Sequence, residues 1–253
     1  MSKIIVSAGC SFARGEGLMT KQQRYADVIA SQYGHTVFDV SMCGASNEHI
    51  ASCGVYGVQK ILQSAAPSNI VMLVGWTEQA RMEYWNPKIN VFRTAMTARA
   101  LHPKALEKPD VQQEQALYEF IAHNMWSPAY GYYKLLHAFN YLNLFCEQRG
   151  VQVINVANLE VFKILLPPTR QKAYATDNNP SFFTQSMLTR TQQNKFDKLF
   201  LKGASLSEMV AANNREYTVS ITDAHPNRKA HSLWAERIIN ENRDILGTEL
   251  RSS

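Results

Sequence analysis

Four cysteines in 253 residues, none spaced C-x-x-C and none beside a histidine pair at zinc-ligand spacing, leave no sequence basis for a zinc knuckle or a disulfide framework. A chain this long buries enough surface to fold without covalent staples, so Cys10, Cys43, Cys53 and Cys146 are expected as reduced, mostly buried thiols. Long apolar runs are missing too. Ile4-Ile5-Val6 is too short for a signal-peptide core, and no segment approaches the roughly 20 apolar residues of a membrane span. These absences predict a soluble, cytoplasmic protein with no membrane partner. A basic stripe is also lacking. Twenty-six Lys and Arg stand against 21 Asp and Glu, a net charge of +5 spread along the chain, which argues against a dedicated nucleic-acid binder. Gly9 to Gly17 follows neither G-x-G-x-x-G nor the Walker A pattern, so a nucleotide cradle is not indicated. There is no internal repeat and no low-complexity linker.

What is present is an alternation of strands and helices. Lys3 to Ala8 is short, β-branched and runs into Gly9, as a buried strand does. Gln22 to Tyr33 carries Tyr25, Val28, Ile29 and Tyr33 at helical spacing and stops at Gly34. Thr36 to Val40 reads as a second strand. Asn47 to Ala65 reads as a second helix, with Gly54 and Gly57 weakening its middle. Asn69 to Val74 is the clearest strand of all. Strand–helix–strand–helix–strand with short connections predicts a parallel sheet with right-handed crossovers. Ser127-Pro128 opens a third helix that runs to Gly150, and Val151 to Val156 is a fourth core strand. Ser205 and Glu208 match a capping box, and Asn227 to Asn242 is a final amphipathic helix. Tyr217 to Ile221 reads either as a short fifth strand or as an extended approach to Asp223. One domain over 1–253 is expected, with irregular insertions at about 76–126 and 157–203, the first showing no strand pattern.

Ligands of open parallel sheets bind at the carboxyl ends of the strands. Ser11 stands there, in Gly9-Cys10-Ser11-Phe12 after the first strand. A serine hydroxyl needs a base within hydrogen-bond reach to act as a nucleophile. Asp223-Ala224-His225-Pro226, just before the last helix, supplies an imidazole and a carboxylate able to orient it. His231 is a weaker base, since it lies inside that helix without an adjacent carboxylate.

Four short blocks, each at a strand end and in order, resemble those of the SGNH/GDSL hydrolase superfamily, in a version with a G-C-S-F first block like that of small bacterial or phage members. Gly9-Cys10-Ser11-Phe12 resembles the first block, Ser41-Met42-Cys43-Gly44-Ala45-Ser46-Asn47 the second, Gly75-Trp76-Thr77-Glu78 the third, and Asp223-Ala224-His225-Pro226 the last. The resemblance implies a flavodoxin-like three-layer α/β/α sandwich with a mostly parallel sheet of about five strands. It implies Ser11, His225 and Asp223 as the catalytic triad of a serine esterase, with no metal or cofactor. The oxyanion hole falls on the backbone N–H groups of Ser11 and Gly44. The family's third donor, an asparagine, is replaced by Thr77; Asn47 is the other candidate, its alternative role being to cap the helix it begins. Cys10 replaces the usual aspartate beside the nucleophile, and Asp223 and His225 are two apart where three is commoner. Arg81 and Trp76 are candidate substrate contacts, the other role of Arg81 being an ion pair with Glu78, which the spacing favours. Tyr84, Trp85, Phe92 and Tyr118 in the first insertion are candidate stacking residues, and a small acyl ester, such as an O-acetyl group on a glycan, is the implied substrate.

Other readings keep the same residues but change the chemistry. The triad serves an acyltransferase equally well. A non-catalytic binding or virion component on this fold is the alternative that the threonine at 77 favours, and a virion location would go with a phage-encoded chain. Cys10 as nucleophile is a further alternative, although neighbouring side chains in an extended turn point different ways, so that only one of Cys10 and Ser11 faces His225.

Overall fold

The computed structural model describes residues 2–86, 91–96, 127–159, 189–201, 204–220 and 222–247, with Leu117, Phe120, Asn124 and Met125 besides. In chain order the principal elements are β1 (Ile4–Gly9), α1 (Ser11–Arg14), α2 (Tyr25–Tyr33), β2 (Thr36–Asp39), α3 (Asn47–Ile61), β3 (Ile70–Trp76), β4 (Arg81–Asn86), β5 (Val91–Met96), α4 (Pro128–Gln148) and β6 (Gln152–Ala157). They continue with α5 (Arg190–Leu201), α6 (Leu206–Ala212), α7 (Asn214–Tyr217), α8 (Arg228–Glu241) and α9 (Arg243–Leu246).

β2, β1, β3 and β6 form a parallel sheet in that order, with Ile4 opposite both Thr36 and Ile70 and Val71 opposite Gln152. Every residue of β3, which lies inside the sheet, is buried. Its apolar side chains alternate between two cores, as the two-residue period of a strand requires. Ile70, Met72, Val74 and Trp76 join Phe139, Leu142 and Ile50 on the face covered by α3, α4 and α5. Val71 and Leu73 join Ile29, Trp234 and Ile238 on the face covered by α2 and α8. Burying each such Val, Leu or Ile contributes about 1.5–3 kcal/mol. The result is a three-layer α/β/α arrangement in which all four strand ends, Asp39, Gly9, Trp76 and Ala157, lie along one edge of the sheet.

The glycines of α3 prove to be packing devices. A Cβ on Gly57 would come within 2.7 Å of Val6 Cγ1, and one on Gly54 within 3.0 Å of Met72 Cε, so their absence lets the helix lie close on the sheet. Ser127 caps α4 by accepting from the Tyr130 N–H, and Ser205 and Glu208 form the expected capping box on α6.

One expectation needs correction, and one open reading is decided. The stretch after Trp76 contains an antiparallel hairpin, β4 with β5, where no strand pattern was expected. Its sequence, Arg-Met-Glu-Tyr-Trp-Asn, lacks a clean apolar alternation because its strands pair with each other and not with the buried sheet. Of the two readings of the segment from Tyr217, the approach to Asp223 holds among the described residues. The segment ends α7 and makes a single bridge, Thr218 to Pro226. Asn227 captures it, donating from Nδ2 to the Glu216 and Thr218 carbonyls and from its backbone N–H to that of Tyr217. Most of the second insertion, including Pro167-Pro168 and Asn178-Asn179-Pro180, lies outside the described residues, as does Tyr118; the Phe92 side chain is likewise not described.

Candidate functional site

The first strand ends at Gly9 and the chain turns at once into α1. Cys10 takes an extended backbone ahead of the helix, and its side chain is wholly buried in the core beneath α3 and α4. Ser11 is the first helical residue and keeps 9% of its surface exposed. The adjacent thiol and hydroxyl therefore occupy different surroundings, apolar core for one and the strand-end surface for the other.

Around Ser11 the other strand ends supply loops. After β2, the Met42 N–H donates to the Gly9 carbonyl, and Arg14 Nη1 donates to that of Ser41, so this loop is bound to the first. Arg24, buried between Asp27 and Asp39, anchors the exit of β2, and Asp39 Oδ1 accepts from the Ser41 N–H. Gly44 has φ of +76°, a left-handed conformation that glycine adopts without steric cost. Cys43 Sγ, exposed on the same loop, donates to Glu16 Oε2. Burial and that carboxylate push the thiol up to about 11, so it stays protonated at neutral pH.

The loop after β3 is tied to the second loop twice. Asn47 Oδ1 accepts from the Thr77 N–H at 2.9 Å, and Asn47 Nδ2 donates to the Thr77 carbonyl at 3.0 Å. Arg81 Nε pairs with Glu78 at 2.9 Å, and its Nη1 donates to the Ala45 carbonyl. Asn47 therefore does not cap α3. Ser46 does, accepting from the His49 N–H. The Thr77 hydroxyl is completely buried and has no hydrogen-bond partner among the described residues. Arg81, which stands at the start of β4, is 7% exposed and already serves the Glu78 pair and a loop carbonyl. Trp76 is fully buried, its indole N–H donating to Asn155 Oδ1 and its ring against Phe139. That indole is a core group out of a ligand's reach, because strand alternation turns residue 76 into the sheet's apolar face.

The two ends of the chain meet over the first loop. His225 Nδ1 lies 2.6 Å from Asp223 Oδ1, and the same oxygen accepts from the His225 backbone N–H. Those two hydrogen bonds, the backbone one foremost, hold the Asp223 carboxyl below its ordinary range. The His225 ring meets Phe12 edge-on, centroids 5.6 Å apart. Gly17 lies so close beneath that a Cβ there would stand 2.8 Å from Val219 and 3.2 Å from Asp223 Oδ2. With Nδ1 committed to Asp223, Nε2 is the ring nitrogen open to a hydroxyl. No hydrogen bond joins Ser11 Oγ to this ring among the described residues; such bonds commonly tighten only when substrate binds.

Asn158, immediately after β6, is a residue that sequence reasoning passed over. It is wholly buried and donates from Nδ2 to Tyr25 Oη. A Cβ on Gly75 would fall 2.0 Å from that nitrogen, so the glycine makes room for the amide beneath the strand ends. Its one sequence signal was position: it occupies the fourth strand end, where each of the other three carries a loop of the site. His231 is fully buried, its Nδ1 accepting from the Tyr25 N–H, and burial drops it to about 4. It plays no part at the surface.

The chain is thus a parallel sheet between helical layers, with a serine at one strand end and a His–Asp pair over its loop. Similar solved structures include a psychrotrophic esterase, EstA, from Pseudoalteromonas sp., 12% identical over 96% of this chain and 97% of that one, TM-score 0.49. A lipolytic G-D-S-L family protein from Veillonella parvula is 12% identical over 95% of this chain and 98% of that one, TM-score 0.45. An acetyl xylan esterase, Est2A, from Butyrivibrio proteoclasticus is 14% identical over 97% of this chain and 65% of that one, TM-score 0.47. No family model and no curated protein matches the chain. No helix among the described residues is long and apolar enough to cross a membrane.

Proposed function

We propose that the protein is a serine esterase acting on small acyl esters, with Ser11 as nucleophile, His225 as general base and Asp223 as the group that orients the imidazole. The observation that carries this reading is the His225–Asp223 pair at 2.6 Å, held over the Ser11 loop by the Phe12 contact and the close approach at Gly17. Ser11 Oγ attacks the ester carbonyl as Nε2 takes its proton, and the imidazolium then protonates the leaving alcohol. Water, activated by the same nitrogen, releases the acid. The backbone N–H groups of Ser11 and Gly44 receive the oxyanion. Thr77 is the better third donor, since its hydroxyl has no hydrogen-bond partner among the described residues, while the Asn47 amide holds the Thr77 backbone in place. An O-acetyl group on a glycan is the proposed substrate, and Trp85, 47% exposed on the hairpin that leaves from the end of β3, offers a ring on which a sugar can stack.

Hydrolysis of p-nitrophenyl acetate tests the nucleophile and base. Ser11→Ala and His225→Ala are each expected to lower kcat on the order of 10³-fold or more with folding unchanged. Full turnover in Ser11→Ala would overturn the assignment. A sugar alcohol added to the assay separates hydrolysis from transfer, because an acyltransferase would make the sugar ester in place of free acetate.

A further inference from the structure

At the side of the sheet, between β6 and the helices α5, α8 and α9, lies a cavity of about 230 Å³ that no residue of the serine site lines. β6 is the outermost strand on that side among the described residues. Beyond its end, the Asn158 N–H donates to the Trp76 carbonyl of β3. The two-residue period of a strand therefore turns the main-chain groups of Val153, Asn155 and Ala157 away from β3, and these three residues line the cavity. Trp234 and Ile238 of α8 supply apolar wall. Trp234 is 3% exposed, and its indole N–H has no hydrogen-bond partner among the described residues. A buried donor without an acceptor costs free energy that an acceptor in the cavity returns.

The charges around this space fall into two groups. Arg237 lies over the Trp234 ring, pairs with Glu241 and donates to the Ala204 carbonyl, while Lys198 donates to the Glu241 carbonyl. Those cations are committed. Lys195 on α5 and Asp244 on α9 line the same cavity, yet neither makes an ion pair or a side-chain hydrogen bond among the described residues, even with the other. A simple anion would meet Asp244 there, and a simple cation would meet Lys195. A molecule that carries both charges on an apolar body suits both.

We propose that this cavity binds a free α-amino acid with an apolar side chain. Lys195 and the Trp234 N–H take the carboxylate, Asp244 and the outward carbonyls of β6 take the ammonium, and the apolar wall takes the side chain. A ligand held there touches neither Ser11 nor His225, so its binding is measured without any turnover.

The test is calorimetric titration of the full chain with L-leucine, isovalerate and isopentylamine, which share an apolar tail and differ in charge. Leucine is expected to bind at a single site with Kd of about 1 mM or below, and each singly charged analogue about tenfold more weakly. Lys195→Gln should weaken leucine and isovalerate about tenfold and leave isopentylamine unchanged; Asp244→Asn should weaken leucine and isopentylamine and leave isovalerate unchanged. Both substitutions fall outside the two apolar cores, so the melting temperature should hold. No leucine binding at ten times that concentration, isovalerate as tight as leucine, or leucine unaffected by either substitution overturns the proposal. Leucylglycine binding as tightly as leucine overturns it too, by assigning the cavity to a peptide terminus.

Discussion

His225 and His231 stand six residues apart on either side of the start of α8, and the fold treats them in opposite ways. His225 lies in the loop, its side chain 30% exposed, with a carboxylate on one ring nitrogen and the other open. His231 is one turn into the helix and fully buried; it stacks on Tyr25, and its Nε2 has no partner among the described residues. One imidazole is placed to exchange protons and the other is held neutral as a packing group. Residue type does not separate them. Desolvation without a counter-charge disfavours the protonated ring, and a neighbouring carboxylate favours it.

The comparison is broken most severely at Asp223. Asp223→Asn removes the charge that stabilises a protonated His225 and lets the ring adopt the wrong tautomer, so esterase kcat is expected to fall on the order of 10²–10⁴-fold. His231→Gln in the same assay should leave kcat within about threefold, a margin worth less than about 1 kcal/mol. If both variants fall equally, the division of labour between the two histidines is wrong.

The second prediction concerns acid stability and applies to His231. Its folded pKa is depressed to about 4 from an ordinary 6.5, so between those values the unfolded chain binds a proton that the folded protein refuses. The neutral ring's contribution is therefore complete above pH 6.5 and is lost as pH falls toward 4, about 3 kcal/mol in all. Urea unfolding from pH 7 to pH 4 should show this fall in the parent protein and a flatter profile in His231→Gln. An equal slope in both would mean that His231 is protonated or hydrated in the native state.

The smallest effect falls on the residue between the two histidines. Asn227 accepts from the Ala230 N–H at the start of α8 while its amide holds the Glu216 and Thr218 carbonyls. Asn227→Ala should cost about 1 kcal/mol of stability as a lost cap. Because the same side chain secures the strand of loop that carries His225, kcat should drop as well. A stability loss without any change in kcat would show that the loop is held by Phe12 and Gly17 alone.

Much of this arrangement is legible along the chain. The four sheet strands, the caps at Ser127 and Ser205 and the position of Ser11 just past a strand end follow from periodicity and turn chemistry, which are properties of neighbouring residues. The β4–β5 hairpin was not legible, because the alternation over Arg81 to Tyr84 is only four residues long and Trp85 beside Tyr84 breaks it. Asn47 illustrates a different limit. Its position after the second strand is clear from sequence, but its partner is the backbone of Thr77, thirty residues away.

By itself, then, the sequence determines which segments become strands and helices, and it puts a serine at one strand end and a His–Asp pair before the last helix. Only the tertiary structure decides that Trp76 is core, that Asn47 and Arg81 bind two loops together, and that Glu83 meets His49. The reason is that secondary structure answers to local periodicity, whereas a buried polar group takes whichever partner the packing of distant segments brings within hydrogen-bond reach.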